Sequence, residues 1–169
     1  MSIPRVYLET TMFSFYYEKR EGQRYQELKR QTRQVFEMIK AGKFEPYTSL
    51  YATNEITKEK DPEKREQMAA LIIDYGVKFL ENTPEVQRLA ALYIKEGAVT
   101  AASETDAAHI AISAINGLDF IVSLNFGHIA RPWTIERVRR VNVRENLKGI
   151  GIYRPLEVLE SEDDTGLYD

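Results

Sequence analysis

Three acids and one amide lie where short apolar runs end or where helices are predicted to begin. They are Glu9, Glu55, Asp106 and Asn125. Carboxylate and amide oxygens, together with water, are the ligands that Mg²⁺ and Mn²⁺ accept in proteins. If the fold brings the four side chains together, they form an oxygen-rich site that suits one or two such cations.

Two of the three acids also have a simpler explanation, whereas the third does not. Asp106 falls in the first turn of a predicted helix, where a negative charge stabilises the helix dipole without any other role. Glu55 falls in a helix that follows the second predicted strand, where it could be a solvated surface residue. Glu9 stands between an apolar strand and two threonines, where burial of a carboxyl group without a function is costly, so a functional role is favoured.

Short apolar strands alternate with amphipathic helices along the chain. Strands are predicted over residues 5–8, 45–50, 77–80 and 118–124, and helices over residues 23–41, 65–75, 82–97 and 105–117. This alternation predicts an α/β protein with three α/β/α layers around a central parallel sheet. Ligands of such sheets bind outside the carboxyl ends of the strands, which is where the three acids and Asn125 fall.

Composition limits the organisation of the chain. With 169 residues, 43% of them hydrophobic, the chain is long enough for one buried core, and we expect one domain over residues 1–159 and an acidic tail over residues 160–169. The absence of cysteine excludes disulfides and thiolate metal sites and favours a cytoplasmic location. No segment approaches the roughly 20 apolar residues of a membrane span, so no membrane partner is expected.

Further polar side chains surround the predicted acids. Thr10 and Thr11 follow Glu9 directly, and either can cap the next helix or hold a water or a phosphate oxygen. His109 follows Asp106 by three residues and is predicted to be hydrogen-bonded within the core, whereas His128 is a candidate for contact with a substrate phosphate. Arg131 begins a run of arginines that is either a solvated helix face or an RNA-contacting surface.

Four segments in this order resemble the PIN-domain family, especially its toxin ribonucleases of VapC type. They are residues 6–11, 54–56, 106–111 and 123–129, and the resemblance extends from about Val6 to Leu159. It implies a metal-dependent endoribonuclease that hydrolyses RNA with Mg²⁺ or Mn²⁺. It also implies the toxin component of a type II toxin-antitoxin system, with a cognate antitoxin protein and a homodimer as partners.

Carried over by position, Glu9, Glu55 and Asp106 are the metal-binding acids, and Asn125 stands where many relatives have a fourth acid. Thr10, Thr11, His128 and Arg131 are the candidate substrate-binding residues. The expected chemistry is hydrolysis in which a bound cation lowers the pKa of a water and neutralises charge on the attacked phosphate.

Two positions depart from the family pattern. The first acid is usually aspartate but is Glu9 here, and Asn125 brings no negative charge. Mg²⁺ requires nearly octahedral geometry, so these changes favour a second hypothesis, a catalytically weakened PIN-like domain that acts as an RNA-binding or protein-binding module. A third hypothesis is a DNA-directed or structure-specific nuclease that uses the same site.

Overall fold

The structure is a computed structural model that describes residues 2–161, together with the course of the helical backbone over residues 162–168. Within these residues, five parallel strands alternate with helices. The strands are β1 (Arg5–Leu8), β2 (Glu45–Thr48), β3 (Lys78–Phe79), β4 (Phe120–Val122) and β5 (Gly151–Tyr153). They form one sheet in the order β3-β2-β1-β4-β5, and every neighbouring pair is parallel.

Helices cover both faces of the sheet. They are α1 (Thr10–Tyr16), α2 (Gln23–Lys40), α3 (Leu50–Ile56), α4 (Pro62–Asp74), α5 (Pro84–Lys95), α6 (Glu104–Ile115), α7 (Pro132–Arg144) and α8 (Pro155–Tyr168). A single 3₁₀ turn, Ala101–Ser103, leads directly into α6. The predicted three-layer α/β/α architecture with a central parallel sheet is confirmed.

The alternation of side chains along β1 separates two hydrophobic cores. Val6 and Leu8 point to one face, where they pack with buried residues of α1, α2, α3 and α4. Tyr7 points to the other face, where it packs with buried residues of α5, α6 and α7. Because β1 is the middle strand of the sheet, the residues at its carboxyl end lie between these two helical layers.

Side-chain caps set the beginnings of the helices after β1 and β2. Ser49 accepts from Tyr51 N at the start of α3, over 3.2 Å. Glu9 accepts from Thr11 N at the start of α1, over 3.2 Å. The prediction that Thr10 or Thr11 caps this helix is wrong, because both threonines already belong to its first turn. The first acid after β1 is thus also a helix cap.

Several predicted elements differ from the observed ones. β2 ends at Thr48 and not at residue 50, because Leu50 begins α3, and β4 covers only Phe120–Val122 of the predicted residues 118–124. The third strand is shorter than residues 77–80, and both residues of β3 are exposed at the sheet edge. β5 was not predicted, because a Gly-Ile-Tyr segment offers no apolar run. The predicted acidic tail over residues 160–169 coincides with the second half of α8 as far as Tyr168, but its side chains from residue 162 onwards lie outside the described residues.

The strand order reverses beside β1. The chain leaves β1 towards β2 and β3, then returns through α5 and α6 to β4 on the other side of β1. In open parallel sheets such a reversal leaves a crevice at the carboxyl ends of the two central strands, here β1 and β4. Within the described part of the chain, no helix combines the length and the apolar character needed to cross a membrane.

Candidate metal centre

Glu9 lies at the reversal point, directly after β1, and is only 2% exposed. Its Oε1 atom accepts hydrogen bonds from Thr11 N, from the Thr11 hydroxyl and, over 2.6 Å, from the Ser123 hydroxyl beyond β4. Its Oε2 atom accepts none from a described residue. Burial raises the pKa of the Glu9 carboxyl, although the bonds from Ser123 and Thr11 favour the charged form. One oxygen is therefore fixed by the protein, and the other is left for a ligand.

Glu55, in the helix that follows the neighbouring strand β2, is also held by hydrogen bonds to one carboxylate oxygen. It lies in α3, and its Oε1 atom accepts from the Thr10 hydroxyl over 2.6 Å and from His109 Nε2 over 2.5 Å. Its Oε2 atom has no hydrogen-bond partner among the described residues. Burial raises the pKa of Glu55, but the bonds from His109 and Thr10 outweigh this effect, and the pKa lies below its ordinary value. Glu55 is therefore the acid of the centre that ionises most readily.

His109 connects the acids to the core. Its ring is fully buried, and Nδ1 lies 2.6 Å from the Tyr7 hydroxyl while Nε2 faces Glu55. The prediction that His109 is hydrogen-bonded within the core is confirmed. The ring nevertheless also belongs to the centre, a role that its position in the sequence allowed but did not favour. The available signal was its spacing from Asp106, since residues three apart share one face of a helix.

Glu9, Glu55 and His109 form a group of potential metal ligands. One donor atom from each residue lies within 4.8 Å of the other two. Two carboxylates and a ring nitrogen suit Mn²⁺, which accepts imidazole as well as oxygen, and the carboxylates also suit Mg²⁺. Among the described residues, this donor set contains two of the three predicted metal-binding acids.

Asp106 is a neighbour of this group, not a member of it. It lies half-buried in the first turn of α6, and its Oδ1 atom accepts from Asn125 Nδ2 over 3.1 Å. Burial raises the pKa of Asp106, and the negative charge of Glu55 raises it further. Asp106 is therefore close enough to Glu55 for the two charges to repel, a repulsion that a divalent cation between them would relieve.

The oxygen and the nitrogen of the Asn125 side-chain amide both form hydrogen bonds. Oδ1 accepts from the His128 backbone N–H over 3.0 Å, while Nδ2 donates to Asp106. The backbone carbonyl of Asn125 also accepts from Ile129 N and Ala130 N, which closes the turn after β4. Asn125 thus orients Asp106 and shapes the turn, and its amide oxygen is already engaged.

The four predicted substrate-binding residues separate into two pairs. The hydroxyls of Thr10 and Thr11 donate to Glu55 and Glu9, so they hold the acids in place. His128 lies exposed on the turn after Asn125, and its positive charge, when present, lowers the pKa of Asp106. Arg131 is half-buried at the start of α7, where its Nε donates to Thr134 over 2.8 Å.

The arginines of α7 are largely paired within the protein. Arg139 and Arg140 contact Glu136, and Arg144 contacts Glu96. The guanidinium of Arg137 lies 3.6 Å from the ring centre of Trp133, which is 54% exposed. The ion pairs are exposed and so weakly held that RNA phosphates can compete for them, which leaves both sequence-based interpretations of this surface open.

Comparison with known proteins gives no further assignment. Neither the models of known protein families nor the curated proteins include a match to this chain.

Proposed function

We propose that the chain is a metal-dependent endoribonuclease of PIN-domain type, which hydrolyses phosphodiester bonds of RNA with Mg²⁺ or Mn²⁺. One observation carries the proposal. Donor atoms of Glu9, Glu55 and His109 lie within 4.8 Å of one another at the carboxyl ends of the central strands, where parallel sheets bind their ligands.

The arrangement of hydrogen bonds fits a cation. Glu9 and Glu55 each have Oε1 fixed by protein donors, and Oε2 has no partner in the part of the chain that the structure describes. Acids that ligate metals are commonly held by such outer hydrogen bonds, which orient the ligating atom. Burial also raises the pKa of Glu9 and of Asp106, so their charged forms are costly until a positive charge is nearby.

The residues divide the work as follows. Glu9 and Glu55 would hold the cation, and Asp106, oriented by Asn125, would serve as the third acid of the site. A bound divalent cation supplies a water of lowered pKa and neutralises charge on the attacked phosphate. His128, exposed beside Asn125, and Arg131 at the start of α7 are the side chains that we assign to substrate phosphates.

The biological role extends the same proposal. On the resemblance to VapC-type toxins, we propose that the chain is the toxin of a type II toxin-antitoxin system. Its partners are then an antitoxin protein that covers the centre and a second copy of the chain. The RNA is recognised through backbone and base contacts around the crevice, since the net charge of −3 supplies no general attraction to nucleic acid.

The test compares RNA cleavage by the wild type with cleavage by Asp106→Asn, Glu55→Gln and Glu104→Gln. Glu104 is the matched control, because it is an exposed acid in the same turn of α6 as Asp106. We expect the wild type and Glu104→Gln to cut a mixed single-stranded RNA with Mn²⁺ or Mg²⁺. Cleavage is lost in the other two variants and in chelator, with circular dichroism confirming their fold.

Two outcomes would redirect the proposal. A folded wild type that cuts no RNA with either cation overturns it, and retention of labelled RNA without cleavage then favours the binding-module hypothesis. Cleavage of a DNA strand of the same sequence at an equal rate favours the DNA-directed nuclease instead. Activity that survives Asp106→Asn and Glu55→Gln places the chemistry elsewhere on the chain.

A further inference from the structure

Four side chains form a continuous hydrogen-bonded chain behind the centre. Ser49 Oγ lies 2.7 Å from the Tyr7 hydroxyl, Tyr7 lies 2.6 Å from His109 Nδ1, and His109 Nε2 lies 2.5 Å from Glu55 Oε1. Ser49, Tyr7 and His109 are fully buried, whereas Glu55 reaches the crevice. The chain therefore runs from the core to the ligating acid.

We assign one direction of donation to this hydrogen-bonded chain, from Ser49 towards Glu55. Ser49 Oγ accepts from Tyr51 N, so its own proton is free to donate to Tyr7. Burial raises the pKa of the Tyr7 hydroxyl, which keeps its proton and donates it to His109 Nδ1. The ring then carries its proton on Nε2 and donates it to Glu55. Each donor is used once, as buried polar groups require.

The same hydrogen-bonded chain of side chains joins the three elements that carry or adjoin the acids. Ser49 caps α3, the helix of Glu55. Tyr7 lies in β1, two residues before Glu9, and His109 lies in α6, three residues after Asp106. The Ser49–Tyr7 bond and the Tyr7–His109 bond join residues 42 and 102 positions apart in sequence. They therefore fix the relative positions of these three elements, which local structure alone cannot fix.

We infer that Tyr7 and His109 are positioning residues, which orient the ring so that Nε2 donates to Glu55 Oε1 and thereby hold Glu55 so that Oε2 is left for a divalent cation. This inference rests on the proposed function. In this arrangement both ring nitrogens of His109 are occupied by Tyr7 and Glu55, so the ring acts through Glu55 and is not itself a cation ligand, although it lies within the donor group. Tyr7 in turn acts through His109.

The protein contains a matched control residue for Tyr7. Tyr93 is also fully buried, and its hydroxyl donates to Asn142 over 2.5 Å between α5 and α7. Tyr7→Phe and Tyr93→Phe each remove one buried hydroxyl, which forms two side-chain hydrogen bonds at Tyr7 and one at Tyr93, and only Tyr7→Phe breaks the chain to Glu55. A merely structural role predicts similar effects of the two variants.

The first measurement is the tautomer of His109 in the cation-free protein, determined by NMR of protein with ¹⁵N-labelled histidine. We expect a proton on Nε2 and a bare Nδ1 in the wild type and in Tyr93→Phe. In Tyr7→Phe, which lacks the donor to Nδ1, we expect this preference for Nε2 to be lost. A wild-type ring that carries a proton on Nδ1, in either charge state, overturns the inference.

The second measurement is Mn²⁺ affinity, determined by titration calorimetry on the same three proteins. We expect Tyr7→Phe to bind Mn²⁺ about tenfold or more weakly than the wild type, the scale on which outer hydrogen bonds affect metal sites. Tyr93→Phe should stay within about twofold of the wild type. Equal affinities of the two variants overturn this inference alone, whereas absence of Mn²⁺ binding by the folded wild type overturns the proposed function and this inference together.

Replacement of His109 separates its two nitrogens. The amide of His109→Gln reaches the place of Nε2 and can donate to Glu55, whereas the shorter His109→Asn reaches only the place of Nδ1. We expect His109→Gln to retain more Mn²⁺ affinity than His109→Asn. The reverse order, in two variants of similar melting temperature, would contradict a role that acts through Glu55.

Discussion

The Ser123 hydroxyl donates to Glu9 Oε1 over 2.6 Å and joins the carboxyl ends of two neighbouring strands. The two residues are 114 positions apart in sequence, and both are almost completely buried. Ser123 Oγ in turn accepts from Asn125 N over 2.9 Å, so the turn after β4 is built on the same contact. The reversal point of the sheet is therefore held by a bond to the buried acid.

Ser123→Ala should weaken cation binding by about tenfold, because it removes a donor that orients Glu9 and favours its charged form. Ser113→Ala is the control, since Ser113 is an equally buried serine whose hydroxyl donates only to the His109 carbonyl. Titration calorimetry with Mn²⁺ compares the two variants. Equal affinities would show that Ser123 serves the turn and not the acid.

Glu9→Gln should stabilise the cation-free protein at neutral pH. Burial raises the folded-state pKa of Glu9, so the stability that this group contributes is present at low pH and is lost as the pH rises through the raised value. The variant removes that loss, and each kcal/mol gained raises the melting temperature by about 2–4 °C in a chain of this size. Thermal unfolding at several pH values should show a gain at pH 7.5 that shrinks towards pH 4.

Excess Mn²⁺ should reverse the order of the melting temperatures of the wild type and Glu9→Gln, because the cation stabilises the protein that binds it. We expect the wild type, and not Glu9→Gln, to gain melting temperature on its addition. A variant less stable than the wild type at neutral pH without cation would mean that the hydrogen bonds to Glu9 Oε1 outweigh its burial.

Much of this fold follows from local sequence. β1 contains an apolar run, and the alternation of short strands with amphipathic helices is sufficient to predict a parallel sheet. Because parallel strands share one carboxyl edge, the neighbourhood of Glu9 and Glu55 could also be predicted. β5 could not, since a strand of three residues takes its identity from pairing with β4 and not from its own composition.

The network behind the acids was not predictable from the sequence. Tyr7 lies within an apolar run, where an aromatic side chain indicates core packing and nothing more. Its partners Ser49 and His109 come from distant parts of the chain, and their contact depends on the strand order. The separation of Asp106 from the ligand group has the same origin, because it depends on where α6 meets the sheet.

Asn125→Asp should have opposite effects with and without a cation. Asn125 now donates to Asp106 Oδ1, and an ionised aspartate in its place repels that carboxylate and raises the pKa of Asp106 further. Loss of this bond to a charged group should cost about 1.5–3 kcal/mol of cation-free stability at neutral pH. With Mn²⁺ the added charge should tighten binding.

Melting temperatures with and without Mn²⁺ measure both effects of Asn125→Asp. At a pH low enough to protonate the new carboxyl group, the cation-free loss should diminish. A variant that loses stability equally in both conditions would indicate damage to the turn, whose His128 N–H now bonds to Asn125 Oδ1.

Asp119→Asn tests whether the acid at the amino end of β4 contributes to the stability of the fold and not to cation binding, unlike the acids at the carboxyl ends of the strands. Asp119 accepts from Arg5 N over 2.7 Å and from Lys148 Nζ over 2.8 Å, and the bond from Lys148 lowers its pKa. A lowered pKa contributes stability that is present above the ordinary pKa of aspartate and is lost as the pH falls through the folded value. The variant should therefore lose only about 0.2–1 kcal/mol at neutral pH, because the Asp119 side chain is 40% exposed and solvent screens its pair with Lys148, and the difference from the wild type should shrink as the medium is acidified.

The sign of this pH dependence is opposite to that of Glu9, because the partners of Asp119 lower its pKa whereas burial raises the pKa of Glu9. Mn²⁺ affinity and RNA cleavage by Asp119→Asn should equal those of the wild type, since Asp119 lies at the other end of the sheet from the crevice. Urea unfolding at pH 7.5 and pH 4, combined with Mn²⁺ titration, measures both expectations. A loss of cation affinity without a loss of stability would contradict the assignment of Asp119 to the fold and of the carboxyl-end acids to the centre.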